Sequence, residues 1–172
     1  AIAAVSGFIA LSYEIVWYRV VSFALQDSPV AFGALLGWYL LGLALGALVS
    51  GRFCGDAAAR GKPGPLRTLA AFSLGAHVAG FLVVPAAAEL SVRVGFLAGL
   101  PLVALAAAMM GAILPLVAHF AIEPDALAGS RIAHLWLANI LGSAAGSWLT
   151  GFVWMEAWPI ARIVPALAAI GL

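Results

Sequence analysis

One short stretch carries most of the chemistry this chain could perform: Tyr13-Glu14-Ile15-Val16-Trp17-Tyr18-Arg19. Glu14, Trp17 and Tyr18 stand at i, i+3 and i+4, so a helix gathers them on one side. A carboxylate beside aromatic faces suits an organic cation, by charge and by cation–π attraction. Arg19 lies five positions after Glu14, about 140° round the helix, and reaches instead for the interface or another helix. The plainer alternative is a structural ion pair or hydrogen-bond network that ties helices together. Both readings start from one fact: ionisable groups inside an apolar segment are costly and ask for a reason.

Other polar residues offer less. Trp136, Asn139 and Ser143 recur at i, i+3 and i+7. Asn139 is placed to hydrogen-bond across to the first helix, with Glu14 as a candidate partner, and glue is the simpler role. With Arg19, Ser143 and His134 it makes up an expected structural polar network. His77, His119 and His134 lie on three segments, and no two have the i, i+4 spacing of a helical metal or haem pair, so no metal ligand and no cofactor is expected. Cys54 is the single cysteine, which rules out an internal disulfide. The chain contains no P-loop, HExxH or GxSxG, and no acidic pair stands out as an acid–base dyad. Catalytic residues are therefore not assigned.

The elements that must position these residues follow from composition. Of 172 residues, 65% are hydrophobic and 9% charged, where soluble domains carry about 25% charged residues. Such a chain cannot clothe itself in polar surface, so the bilayer is its solvent. A net charge of +1 with scattered cations gives no stripe for nucleic acid. Apolar stretches near 2–25, 30–51, 67–88, 94–121 and 131–154 are each long enough to span as helices, and a sixth begins after Pro159. Barrel strands would alternate over about 10 residues instead. The expected fold is an all-α polytopic membrane bundle of five to six transmembrane helices, one domain over 1–172, with Pro101 and Pro115 interrupting the fourth.

Basic residues orient the bundle. Arg52, Arg60, Lys62, Arg67 and Arg131 fall on one side, against Arg93 and Arg162 on the other. The N-terminus is thus expected in the cytoplasm, in a bacterial inner membrane, with Trp154 and Trp158 at the outer interface. Close packing in lipid favours small residues. Gly42-xxx-Gly46 and Gly142-xxx-Gly146 are the expected contact faces.

Four segments together resemble a known family. Ser6-Gly7-Phe8-Ile9-Ala10-Leu11-Ser12-Tyr13-Glu14-Ile15-Val16-Trp17-Tyr18-Arg19 is similar to the opening helix of membrane-embedded spermidine synthase-like proteins, close to SGF-x-AL-x-YE-x-x-W-x-R. Leu40–Gly46 with Ser50-Gly51-Arg52 resembles their second helix, and Met110-Gly111-Ala112-Ile113-Leu114-Pro115-Leu116 their MGA-x-LPL segment. Ala138-Asn139-Ile140-Leu141-Gly142 through Gly146, then Gly151-Phe152, resembles AN-x-LG-x-x-x-G and the GF that follows. There are departures. His119 stands near a place where the family often has Arg, and Ala133-His134-Leu135-Trp136 stands for Gly-Arg-Leu-Tyr, so two permanent cations become titratable groups.

The resemblance implies a transporter-like membrane module that commonly precedes a cytoplasmic Rossmann-like aminopropyltransferase domain, here absent. The chain starts at Ala1 and stops inside an apolar run, and is expected to be a piece of something longer. Polyamine binding or transport is the first functional expectation, with Glu14 as counter-charge and Trp17 and Tyr18 as aromatic wall. The alternatives are a non-catalytic accessory subunit of a larger membrane complex, such as a photosynthetic or electron-transfer assembly, and a small secondary transporter. Expected partners are the lipid bilayer and other membrane subunits or further copies of the chain.

Overall fold

The computed structural model describes residues 1–24, 29–54 and 64–171. Among them are six helices: α1 Ile2–Ala24, α2 Pro29–Ser50, α3 Pro65–Arg93, α4 Leu100–Ala121, α5 Ala128–Trp148 and α6 Ile160–Gly171. A 3-10 turn, Phe96–Gly99, leads into α4, and a π-helical turn, Leu149–Trp154, extends α5 into the short helical turn Met155–Ala157. The expected loop residues Gln26-Asp27-Ser28 and the polar loop holding Asp56, Arg60, Gly61, Lys62 and Pro63 lie outside the described residues, as does Leu172.

Four helices are long and apolar enough to cross a membrane: Ile2–Ala24, Pro29–Ser50, Pro65–Leu90 and Leu97–Ala121. The chain is an all-α integral membrane protein. At about 1.5 Å per residue such helices match a hydrocarbon core of about 30 Å. α5 has the length, but Arg131, His134 and Asn139 make it more polar than the four. α6, with 12 residues, rises only about 18 Å. Outward faces carry Phe23, Leu48, Leu66 and Phe152, all exposed, as befits side chains that lipid would cover.

Local chemistry sets the helix ends. Pro101 does not interrupt the fourth span. It sits in the first turn of α4, where a missing backbone N–H is no loss. Pro115 does not interrupt it either: it lies inside α4, which continues past it to Ala121. α3 runs past the expected end near 88 to Arg93, whose Nε donates to Glu89 Oε1 at 2.6 Å one turn back. Gly95 then takes φ +113°, a conformation L side chains rarely adopt, and the chain turns into the 3-10 segment. Before α5, Asp125 accepts a 2.9 Å hydrogen bond from the Leu127 N–H and pairs with Arg131 at 2.9 Å. An acidic group belongs at this positive end of a helix.

Two tight helix pairs organise the bundle. On α2, a Cβ at Gly42 would strike the Ala104 backbone and one at Gly46 the Ala108 backbone of α4. Reciprocally, a Cβ at Gly111 would meet the Leu43 backbone. On α5, Gly142 lies against Ala4 and Gly146 against Phe8 of α1, while Gly7 lies against Asn139. Residue numbers advance together in both pairs, so the paired helices run parallel. Each seam therefore sets Gly-xxx-Gly on one helix against the backbone of the other, the arrangement that lets helices approach closely in lipid. α3 packs along α4, and α6 lies against α1 and α3. Tyr13, Trp17, Leu116, Ile163 and Leu167 are fully buried at the centre.

Candidate functional site

The α1 segment singled out by its chemistry faces three directions. Tyr13 and Trp17, one turn apart, point inward and stack at 5.3 Å between centroids, 23° from parallel. Trp17 also meets Tyr39 of α2 edge-on at 6.3 Å. Space for the Tyr13 ring comes from Gly80 of α3, where a Cβ would stand 3.0 Å from Tyr13 Cζ. The Tyr13 hydroxyl donates to the Val164 carbonyl of α6 at 3.5 Å. Tyr18 points outward, 39% exposed, with its ring edge-on to Phe32 at 5.8 Å. Glu14 falls between, half-buried. Trp17 and Tyr18 flank Glu14 at about −60° and +40° round the helix. That spread is enough to send one aromatic into the core and the other to the surface.

Tyr39 of α2 is a further aromatic companion of the carboxylate. It is 2% exposed and within electrostatic reach of Glu14. Its hydroxyl and the Trp17 Nε1 are both buried without a hydrogen-bond partner. No cation pairs with Glu14 among the described residues. Arg19 stands exposed, nearly a turn beyond it. A side chain so near the end of α1 can extend to the interface.

The other expected polar residues spread along α5. Asn139 does reach α1, but its Nδ2 donates to the Ala3 carbonyl at 3.1 Å rather than to Glu14. The parallel register explains this: Glu14 is eleven residues past Ala3, about 16 Å higher on α1. Ser143 Oγ lies beside Gly7. His134 Nδ1 meets the Ser130 carbonyl of its own helix at 2.7 Å, on an exposed face away from this seam. Sequence reasoning passed over Ser12 and Thr150, both fully buried, whose hydroxyls join α1 to the π turn at 2.9 Å. The spacing Gly142, Gly146, Thr150 was the available signal, since a third small residue at +4 continues the seam.

Two cavities flank the wall where α1 meets α4. One, of about 390 Å³, lies among α1, α2, α4 and α5 and is bordered by Tyr39, Trp136, Asn139, Ser143 and Ser6. The other, of about 400 Å³, lies among α1, α3, α4 and α6. Ser6 and Met110 border both. The first collects polar groups and aromatic rings in a mostly apolar wall, the lining that orients small ligands. His77, His119 and His134 remain on separate helices, and among the described residues no three of His, Cys, Asp and Glu gather as a metal site. Cys54 Sγ lies 3.5 Å from the Ser50 carbonyl at the end of α2. Comparison with known proteins found no matching family model, no matching curated protein and no matching solved structure.

Proposed function

We propose that the chain is the membrane domain of a spermidine synthase-like protein and binds or carries polyamines or other organic cations. One observation carries the reading: Glu14 holds a carboxylate at mid-span with no cation paired to it among the described residues. A carboxylate in that position costs free energy on the order of 2.5–3.5 kcal/mol on insertion scales. A bound ammonium group offsets that cost by supplying the missing charge. Tyr39, within electrostatic reach of Glu14, adds an oxygen acceptor and borders the cavity of about 390 Å³, whose lining does not include Glu14 itself. There Trp136 offers a cation–π surface, and the apolar remainder accepts methylene groups. Titration calorimetry of the detergent-solubilised chain with spermidine tests the reading. Glu14→Gln should weaken binding at least about tenfold. Unchanged affinity in that variant ends the proposal.

A second reading rests on the outer face of α5. Trp136, Leu137, Ile140, Leu141 and Trp148 are all exposed there, on a helix less apolar than the four spans. That face suits contact with other membrane helices, as in an accessory subunit. Native mass spectrometry after purification in mild detergent separates the two: a larger assembly of fixed composition favours the subunit, and a lone chain that binds spermidine favours the first reading. In either case the basic residues predict the α1 N-terminus on the cytoplasmic side of a bacterial inner membrane.

A further inference from the structure

The two glycine seams of the bundle repeat each other. Gly42 and Gly46 of α2 lie against Ala104 and Ala108 of α4, and Gly142 and Gly146 of α5 lie against Ala4 and Phe8 of α1. One step of one hundred positions carries each α2 residue to its α5 counterpart and each α1 residue to its α4 counterpart. Burial follows the same step. The order of buried and half-buried residues from Leu11 to Trp17 is the same as that from Gly111 to Val117, and Ser50 is buried as Thr150 is. No residue in those two stretches of α1 and α4 is identical to its counterpart, so the repeat lies in the packing rather than in the residue types.

The repeat is inverted. α1 ends at Ala24 and α2 begins at Pro29, and two spanning helices so close in sequence run in opposite directions. α5 runs with α1 and α4 with α2, because residue numbers advance together along both seams. The pair α1–α5 therefore maps onto the pair α4–α2 by a half-turn about an axis in the membrane plane, the relation on which many carriers are built. The cavity of about 390 Å³ lies on that axis: Ala10 and Met110, Tyr39 and Asn139, and Leu43 and Ser143 are counterparts, and all six line it. The two pairs touch each other far less than the helices within each pair do. Backbone-to-backbone seams make each pair a stiff body, and the cavity separates the two.

The cavity itself breaks the symmetry. It extends toward the face where α1 and α5 begin, past Ser6, Leu114 and Trp136, while their counterparts Ala106, Glu14 and Leu36 do not line it. Ala106 is fully buried. Two stiff bodies related by a half-turn have a second arrangement in which these roles exchange. Packing inside each pair is the same in both, so only the contacts between the pairs change. We infer that α1–α5 rocks against α2–α4 between the two arrangements, turning the cavity from one side of the membrane to the other, and that Ala106 and Glu14 line it in the second. The chain then works as a carrier, and its carboxylate meets the cavity only when the opposite side is open. That the solute is an organic cation drawn to Glu14 rests on the function proposed above; the movement does not.

Cysteine labelling tests the movement. In a Cys54→Ser background, Ser6→Cys and Ala106→Cys are treated in turn with a membrane-impermeant maleimide on either side of sealed membrane vesicles. Ser6→Cys should react from the side where α1 begins, and Ala106→Cys from the opposite side, although a static bundle keeps that position buried. Leu36→Cys, at the counterpart of Trp136, should react from the same side as Ala106→Cys and decides the matter if Ala106→Cys fails to fold. A folded Ala106→Cys that reacts from neither side, or from the side that labels Ser6→Cys, overturns the inference. Spermidine should slow the labelling of both cysteines. Labelling from opposite sides that spermidine leaves unchanged upholds the movement and removes polyamine as the solute, so the two proposals fail separately.

Discussion

One added methyl group at Gly46 should force α2 and α4 apart. A Cβ there would overlap the Ala108 carbonyl oxygen and stand 2.6 Å from its carbon and 2.8 Å from its Cα, whereas ordinary contact begins at 3.4 Å. All three obstacles are backbone atoms, so no rotamer change relieves them. The helices must separate along a seam that also includes Gly42, Ala107 and Gly111. A gap of roughly half to one ångström forfeits a quarter to a half of each pairwise attraction across it, and overpacked interiors lose about 1–3 kcal/mol. Gly46→Ala should therefore destabilise the bundle by that amount. Gly37→Ala is the control on the same helix, since its Cβ meets nothing within 4 Å. That variant should be neutral or more stable, because alanine exceeds glycine in helix propensity by about 0.8–1 kcal/mol. Unfolding with increasing fractions of SDS in mild detergent, followed by far-ultraviolet circular dichroism, measures both. If the two variants unfold at the same SDS fraction, α2 and α4 do not pack through Gly46 and the reasoning fails.

Further outcomes are open to measurement. Ser12→Ala and Thr150→Ala should each cost about 0.6–2 kcal/mol, and the double variant less than their sum, because the two buried hydroxyls satisfy each other at 2.9 Å. Additive losses in the SDS titration would mean that no such bond forms. Tyr39→Phe removes a buried hydroxyl with no partner in the protein, so stability should hold or rise by up to about 1 kcal/mol while spermidine affinity falls. A matching loss of stability would assign the hydroxyl to the fold instead. Cys54 reports orientation, being the one cysteine and half-buried at the end of α2. A membrane-impermeant maleimide should label it in inside-out vesicles and not in intact cells, and the reverse pattern inverts the topology.

What the residues foretold, and what they did not, divides along the range of the interactions. Long apolar runs announce helices because a bilayer leaves the backbone no other local solution, and the expected spans at 2–25 and 30–51 differ from α1 and α2 by at most one residue at an end. Pro101 misled because a proline breaks a helix interior but suits a first turn, and the start of α4 depends on Gly95, a backbone conformation with no periodic signature. The site was harder. Spacing placed Glu14, Trp17 and Tyr18 on one side of α1, but which edge of that side faces inward is fixed by neighbours. Gly80 admits the Tyr13 ring, Trp17 stacks on it, and Tyr18 is left outside. Likewise Asn139 was legible as a donor to α1, yet its acceptor depended on the register of a seam between segments more than 130 residues apart. Tyr39 has no spacing that marks it, since its significance, like that of the Trp17 indole, lies in a hydrogen bond that the fold does not make.

Those unmade bonds argue for function more strongly than the carboxylate alone. Packing in this bundle uses few polar groups: both tight seams run on glycine and alanine, with Asn139, Ser12 and Thr150 adding bonds along α1 and α5. Were Glu14 only part of a structural network, Tyr39 and Trp17 would be its natural donors, and the buried hydroxyl and indole N–H would each be satisfied. Instead both lack a partner beside it. Apolar replacements of similar shape would be expected to match or exceed the stability of such half-satisfied groups. A fold selected for stability alone gains nothing from keeping, at mid-membrane, a carboxylate with no cation among the described residues and a phenol and an indole without partners. Under the proposed function, a ligand that brings a positive charge and N–H donors would serve the carboxylate and the phenol, while the indole N–H, itself a donor, would need an acceptor that a cation does not supply.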